Sequence, residues 1–362
     1  MIRMKKRHWW LLALLLFVIH FFATARPVQE ETVLTPAWIV SLESDAPIDL
    51  GGFSGGGGQG LLPFRLGERY GFVGDDGRFT LNRIGQGGVS ISQRFWAEYP
   101  ANPPYIQVMS PMDEPVLTIQ DPRGYPLFLD NRVFIVGIEQ NSLAGIGPNG
   151  EELWRHDFRA PITSIDAAGG RVLAGTLDGA IELLDSEGRA VIPPFEPGGS
   201  RLQAVFGCAI SADGLRLAVI SGIDNQRFLL LEQAGDMFRV VYHEFLGNGF
   251  RRPVHVSFAD NDRKVVFERE GGLGIFNIAS RASVFLPLEG EIKVLDTCGQ
   301  APYLFVITSL GPNRKRLVTI RHPGVVIIDT PFESDTAFLA RRGNRLFLGG
   351  DGAMASFEIR RR

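Results

Sequence analysis

The stretch Asn149 to Val191, NGEELWRHDFRAPITSIDAAGGRVLAGTLDGAIELLDSEGRAV, restricts the fold more than any other part of the chain. Short apolar runs at Ile162 to Ile165, Arg171 to Ala174 and Ala180 to Leu184 are each ended by Gly, Asp or Asn, and Asp178-Gly179 separates the second from the third. Runs of this length read as strands, and Asp-Gly between two of them supplies the positive backbone angles of a tight hairpin turn. Such a unit is a four-stranded sheet with two apolar faces. It cannot bury both alone and requires neighbours of the same kind.

Copies of it are present. GFVGDDGRFTLNR near the start of the folded region and LFLGGDGAMASFEI near the end match VLAGTLDGAIELLD. In each, an apolar strand reaches a glycine (Gly74, Gly175, Gly349), an Asp-Gly turn follows (Asp76-Gly77, Asp178-Gly179, Asp351-Gly352), and an alternating strand leads away. Looser versions turn at Asn141-Ser142, Asp224-Asn225, Gly271-Gly272 and Pro312-Asn313. With turn markers at 77, 141, 179, 225, 271, 313 and 352, the steps are 64, 38, 46, 46, 42 and 39 residues. All but the first fit the roughly 40 to 50 residues of a propeller blade. The expected fold is all-β, a seven-bladed β-propeller with six to eight blades admissible.

SLAGIGPNGEELW (Ser142 to Trp154) and GRVLAGTLDGAIELLDSEGRAV (Gly170 to Val191) resemble the quinoprotein-type, or PQQ-like, β-propeller repeat, which runs strand, Gly turn, Ala-Leu-Asp-like strand, then Gly and Trp. The resemblance covers about two blades, and the others equally resemble WD-repeat-like propellers. It implies the fold and no activity. The family's quinone enzymes use a vicinal cysteine pair and calcium-binding acidic residues on a much longer chain, whereas Cys208 and Cys298 lie far apart here. The Trp of the repeat occurs once, as Trp154, with Val191 or Ile192 at that place in the next blade. No catalytic residue, cofactor or metal ligand carries over.

The chain opens with basic Met1 to Arg7, an apolar run from Trp9 to Phe22 interrupted by His20, and Ala23-Thr24-Ala25, the small-x-small form of a processing site. Residues 1–25 thus read as a single hydrophobic helix, either a signal peptide cleaved after Ala25 or an anchor tethering the protein to the inner membrane through residues 9–25. Either way the propeller is exported to a periplasmic or other extracytoplasmic location. Taking Arg3, Lys5, Lys6 and Arg7 off the formal charge of −3 leaves about −7, which gives no general attraction to nucleic acid.

Residues 26–36 read as a polar linker and 37–362 as one propeller domain. The last repeat, from Asp335, has room for only three strands, so residues 37–44 are expected to supply its fourth and latch the ring, leaving a monomer without an open edge. Residues 51–60, GGFSGGGGQG, lack the following helix and the Lys of a phosphate-binding loop and read as a flexible connection. Blade one spans Leu62 to Ser92. The long first step then places an insertion at 93–121, whose prolines argue against regular interior strands. Its Phe95, Trp96, Tyr99 and Tyr105 are the candidate partner-binding residues, with folding back as a cover over the propeller as the plainer role. Later blades fall at Gly124 to Phe158, Ala160 to Phe195, Arg201 to Phe245, Pro253 to Leu288 and Gly290 to Phe332. Small residues at Ala204, Gly207, Ala209 and Ser211 suit a strand crowded at the axis.

His156, His243, His255 and His322 lie in separate blades without metal-ligand spacing, and His255 is the one placed on an inner strand. Asp166, Asp260 and Asp296, near the ends of inner strands, suit turn and capping roles. Cys208 and Cys298 are expected as buried free thiols, and Arg360 to Arg362 as a solvated end. The expected function is a non-enzymatic, exported propeller serving as a scaffold for an envelope protein, similar in outline to the propeller component of bacterial outer-membrane assembly machinery. The alternative is a propeller hydrolase or lyase with a channel-bound metal.

Overall fold

A computed structural model describes residues 14, 15, 17, 20, 32–43, 48–49, 60–247, 249–297 and 303–361. Those residues form eight antiparallel sheets, one after another along the chain, arranged as the blades of a propeller. The eighth blade is an addition to the seven expected. Blade one has three strands, Leu61–Leu66, Arg69–Gly74 and Phe79–Ile84. Blade two is built from Gly88–Ile91, Trp96–Tyr99, Tyr105–Met109 and Pro115–Gln120, and so consumes the segment read as an insertion. Proline did not prevent this because it is confined to places that donate nothing to the ladder. Pro100, Pro103, Pro104 and Pro111 lie in connections, and Pro115 is the first residue of the outermost strand. Blades three to seven start at Gly124, Ile162, Val205, Val256 and Glu291, each with four strands.

Three Asp-Gly turns form hairpins as expected, with Gly77, Gly179 and Gly352 at φ of 82°, 91° and 74°. The first two close three-residue loops rather than two-residue ones: Gly74 N–H donates to Arg78 O, and Thr176 N–H to Ala180 O. In each loop the glycine takes the left-handed position that follows a type I turn. Gly207 answers a different need, since a Cβ there would lie 2.7 Å from Val254 O in the next blade.

The final blade joins both ends of the chain. Its strands Phe338–Arg342, Arg345–Gly350 and Ala353–Arg361 are completed by Thr32–Ser41, which pairs antiparallel from Thr32 opposite Arg361 to Ser41 opposite Ala353. The closing strand thus begins inside the stretch read as a linker, and of the end read as solvated Arg360 and Arg361 are strand residues, while Arg362 lies outside the described residues. Ala37, Trp38, Val40 and Leu42 are buried against Leu62, Phe64, Leu66 and Val73 of blade one. The Trp38 indole donates to Asp75 O at 2.7 Å, Arg345 donates to the same oxygen at 2.9 Å, and Arg342 pairs with the Asp75 carboxylate. On the other flank the Thr32 and Tyr303 hydroxyls are bonded at 2.9 Å.

Blade one is inserted upside down. Elsewhere neighbouring inner strands run in parallel: Thr163 donates to Val205 O and Asp166 accepts from Ile210 N, so both strands advance together. In blade one the start of the inner strand, at Gly60, abuts Arg342 at the end of its neighbour, while Gly67 at its far end abuts Thr336 before that neighbour's start. The cause is a short fifth strand in the final blade, Ile48–Asp49, which pairs antiparallel with Trp38 and Ile39 and turns the chain back. An odd number of strands in blade one restores the direction for blade two. The residues 51–59 of the glycine-rich connection lie outside the described set, as do most of 1–25. Of that leader, Leu14, Leu15, Phe17 and His20 are helical, and no helix among the described residues is long and apolar enough to cross a membrane.

If the Trp38 latch holds the ring, Trp38→Ala should lower the unfolding free energy by about 3–5 kcal/mol. Trp38→Phe, which keeps most of the packing and loses the indole donor, should cost about 1 kcal/mol. Urea denaturation followed by circular dichroism checks both, and equal losses would show that the hydrogen bond to Asp75 dominates.

Candidate interaction surface

The four aromatic residues singled out by the sequence do not share a surface. Trp96 is 3% exposed, packs on Tyr70 at 5.6 Å between ring centroids, and donates its indole N–H to Ser110 O at 2.9 Å. It is a core residue at the contact of blades one and two. Phe95 is half-buried against Phe128 at 5.7 Å, and Tyr99 is half-buried with its hydroxyl 3.3 Å from Ser90. Only Tyr105 is open to solvent, at 55%. It stands at the start of its blade's third strand, on the face where the second-to-third-strand turns of blades two to eight emerge, here termed the upper face.

Two further apolar residues occupy one equivalent position on that face. Ile138 and Leu177 each begin the turn after a blade's second strand, whereas in blade five Gly222 takes that place and Ile223 follows it. The N–H groups of Ile138 and Leu177 donate to Arg123 O and Pro161 O, the residues just ahead of the same blades' inner strands, as Gly222 N–H does to Ala204 O in blade five. This shared bond pins each turn to the inner edge of its blade. Ile138 and Leu177 project outward, 62% and 52% exposed, Ile223 is half-buried, and the neighbouring Leu202 is 61% exposed. Aliphatic side chains in turns, where polar residues ordinarily stand, are a binding signal once they recur at one position on one face. Superposing RVFIVGI (132–138) on RVLAGTL (171–177) aligns Ile138 with Leu177; scanning for aromatic mass alone missed it.

The ionisable candidates are spent on structure. The Asp166 carboxylate accepts N–H groups from Ala167 and from Ile210 of the next blade, both at 2.9 Å; burial raises its pKa against those bonds. Asp296 accepts Arg341 N–H at 2.8 Å across the next blade boundary, and Asp260 pairs with Lys264 at 2.8 Å and with Arg263. His156 meets the buried Glu182 at 2.9 Å, and His243 lies exposed on an outer strand. His255 sits beside Glu268, which Arg252 holds at 2.6 Å; burial lowers the pKa of His255. Among the described residues, no three of His, Cys, Asp and Glu are grouped to hold a metal. Cys208 is a buried free thiol pushed up to about 12 by burial, and Cys298 lies outside the described residues.

A family described as "beta-propeller protein" matches residues 1–362. An uncharacterized protein of Treponema pallidum (strain Nichols) is 27% identical over 365 residues, covering 99% of this chain and 95% of the relative. BamB from Moraxella catarrhalis superposes with a TM-score of 0.58 at 15% identity, over 90% of this chain and 100% of BamB. The Cps50 (Swd1) β-propeller domain of Myceliophteria thermophila gives 0.53 at 11% identity, over 77% and 98%. At these identities the solved structures share the fold alone.

His322 offers a measurable signature of the lower face. Burial and the charge of Lys264 push its pKa down to about 4, although Asp260 opposes them. Because its folded value lies below the ordinary value of about 6.5, the unfolded chain takes up the proton first as pH falls. Its contribution to stability is therefore complete above about 6.5 and lost progressively toward 4. Thermal melts should show Tm declining between pH 7 and 5 with a slope that His322→Gln reduces; an unchanged slope would place the titration elsewhere.

Proposed function

Since this chain belongs to the β-propeller protein family, we propose that it is a non-enzymatic scaffold of the cell envelope, binding a protein partner through the upper face at Tyr105, Ile138, Leu177 and Leu202. The observation that carries this reading is the recurrence of exposed aliphatic residues at one turn position in successive blades, each anchored by the same backbone bond. Side chains held on rigid turns lose little freedom on binding, which favours recognition. The basic start, apolar run and Ala-Thr-Ala exit of residues 1–25 support export, either as a released protein or as one tethered to the inner membrane. A ring latched by its own N-terminal strand has no need of a second copy to cover an edge, which supports a monomer.

Affinity capture from native envelope tests the reading. Ile138→Asp combined with Leu177→Asp should abolish recovery of a partner that the unmodified protein retains. Since both side chains are exposed, each change should alter stability by no more than about 0.5 kcal/mol. Undiminished capture by the double variant would reject the upper face as the binding surface.

A further inference from the structure

A cleft of about 360 Å³ opens on the opposite, lower face, where blades two, three and four meet. Blade two contributes Arg94, Phe95 and Val116, blade three Phe134, Leu153 and Trp154. Its floor is fixed. The Trp154 indole donates to Ser186 O of blade four at 3.0 Å, and its ring lies so close to Gly145 and Gly188 that a Cβ on either would be 2.4 Å from an indole atom. Phe134 packs on that ring at 6.1 Å between centroids. The rim, in contrast, is open: Leu153 is 60% and Val116 44% exposed.

The charged residues lining this cleft are both arginines. Arg132 is held in place, donating to Arg171 O at 2.8 Å and pairing with Asp130 at 3.3 Å, with its guanidinium 5.1 Å from the Phe134 ring. Arg94 lies over Phe95 at 5.6 Å and makes no ion pair among the described residues. An aromatic floor, an aliphatic rim and an available cation ask for a ligand that is apolar at its centre and anionic beside it. The volume is at the lower end for a ligand pocket, enough for one large side chain rather than a cofactor.

We infer that the cleft walled by Phe95, Leu153 and Trp154 receives a large apolar side chain of an acidic peptide segment, with Arg94 pairing its carboxylate. The site is separate from the upper face, so one scaffold would hold two chains on opposite sides. Phe95, chosen from the sequence for its aromatic mass, takes part here as a wall of the cleft.

The probe is a fluorescein-labelled peptide with one Phe flanked by Glu, measured by anisotropy against the full-length protein in detergent. Analogues carry Lys for Glu, or Ala for Phe. The acidic Phe peptide should bind about fivefold tighter than the Lys analogue, the size of one partly exposed ion pair. The Ala analogue should lose about tenfold or more, the loss of one buried aromatic ring. Arg94→Glu should cancel the preference for Glu over Lys, and Leu153→Asp should weaken binding about tenfold, while Leu177→Asp on the upper face leaves it unchanged. Equal binding of the acidic and Lys peptides, or an undiminished affinity in Leu153→Asp, overturns the assignment. Since the proposed function assigns envelope capture to Ile138 and Leu177, failure of the unmodified protein to bind the peptide while capture succeeds rejects the cleft alone.

Discussion

One strand pair closes this molecule. Thr32–Ser41 lies along the whole of Ala353–Arg361, and without it the final blade would expose an unpaired edge and blade one would lose the wall that covers Phe64 and Leu66. The backbone ladder supplies register, while Trp38 supplies direction: its ring enters the space between the last and first blades, and its N–H finds Asp75 at the bottom of that space. The bulge between Pro36 and Trp38 falls where the strand must accommodate a residue that cannot donate to the ladder. Two other blade boundaries repeat the same economy on a smaller scale, with Asp166 and Asp296 each reaching across to a backbone N–H of the next blade.

Most of this architecture was legible in the residues. The Asp-Gly turns, the blade period from Gly124 onward and the N-terminal latch all follow from local chemistry, because glycine marks many of the turns that need positive φ, although Gln140 takes 59° at the place Gly179 holds in the next blade. Blade two was hidden because its second hairpin is turned by Pro100 to Pro104 instead, and a search tuned to Asp-Gly read proline as interruption. The inversion of blade one was hidden for another reason. GFVGDDGRFTLNR is a good local copy of the repeat, and a local copy says how two strands pair but nothing about which way the pair stands in the ring. Direction is set by the number of strands that precede it, and Ile48–Asp49 is too short to be read from pattern.

The interaction surface was legible only in part. Aromatic mass drew attention to Phe95, Trp96, Tyr99 and Tyr105, yet a ring in a blade-forming sequence is first of all filling for the blade, and Trp96 shows it. The more informative residues are modest aliphatic ones. Ile138 and Leu177 gain meaning only through the bond that places their turns identically, and that bond joins segments about 15 residues apart. The sequence can align Ile138 with Leu177, but the bond that gives the alignment meaning emerges only once the strands between are assigned.

The register of the closing pair has a mechanical corollary. Thr32 stands opposite Arg361, so the first residue of the closing strand and the last of its partner lie side by side. Tension drawn between them would not load the ladder's rungs all at once. It would part them in sequence, as a zipper opens, beginning at Thr32 and reaching the Trp38 socket only after five rungs had gone. A chain held at one end and pulled from the other would therefore yield gradually at low force, whereas a load applied across the blades would meet many interblade contacts together.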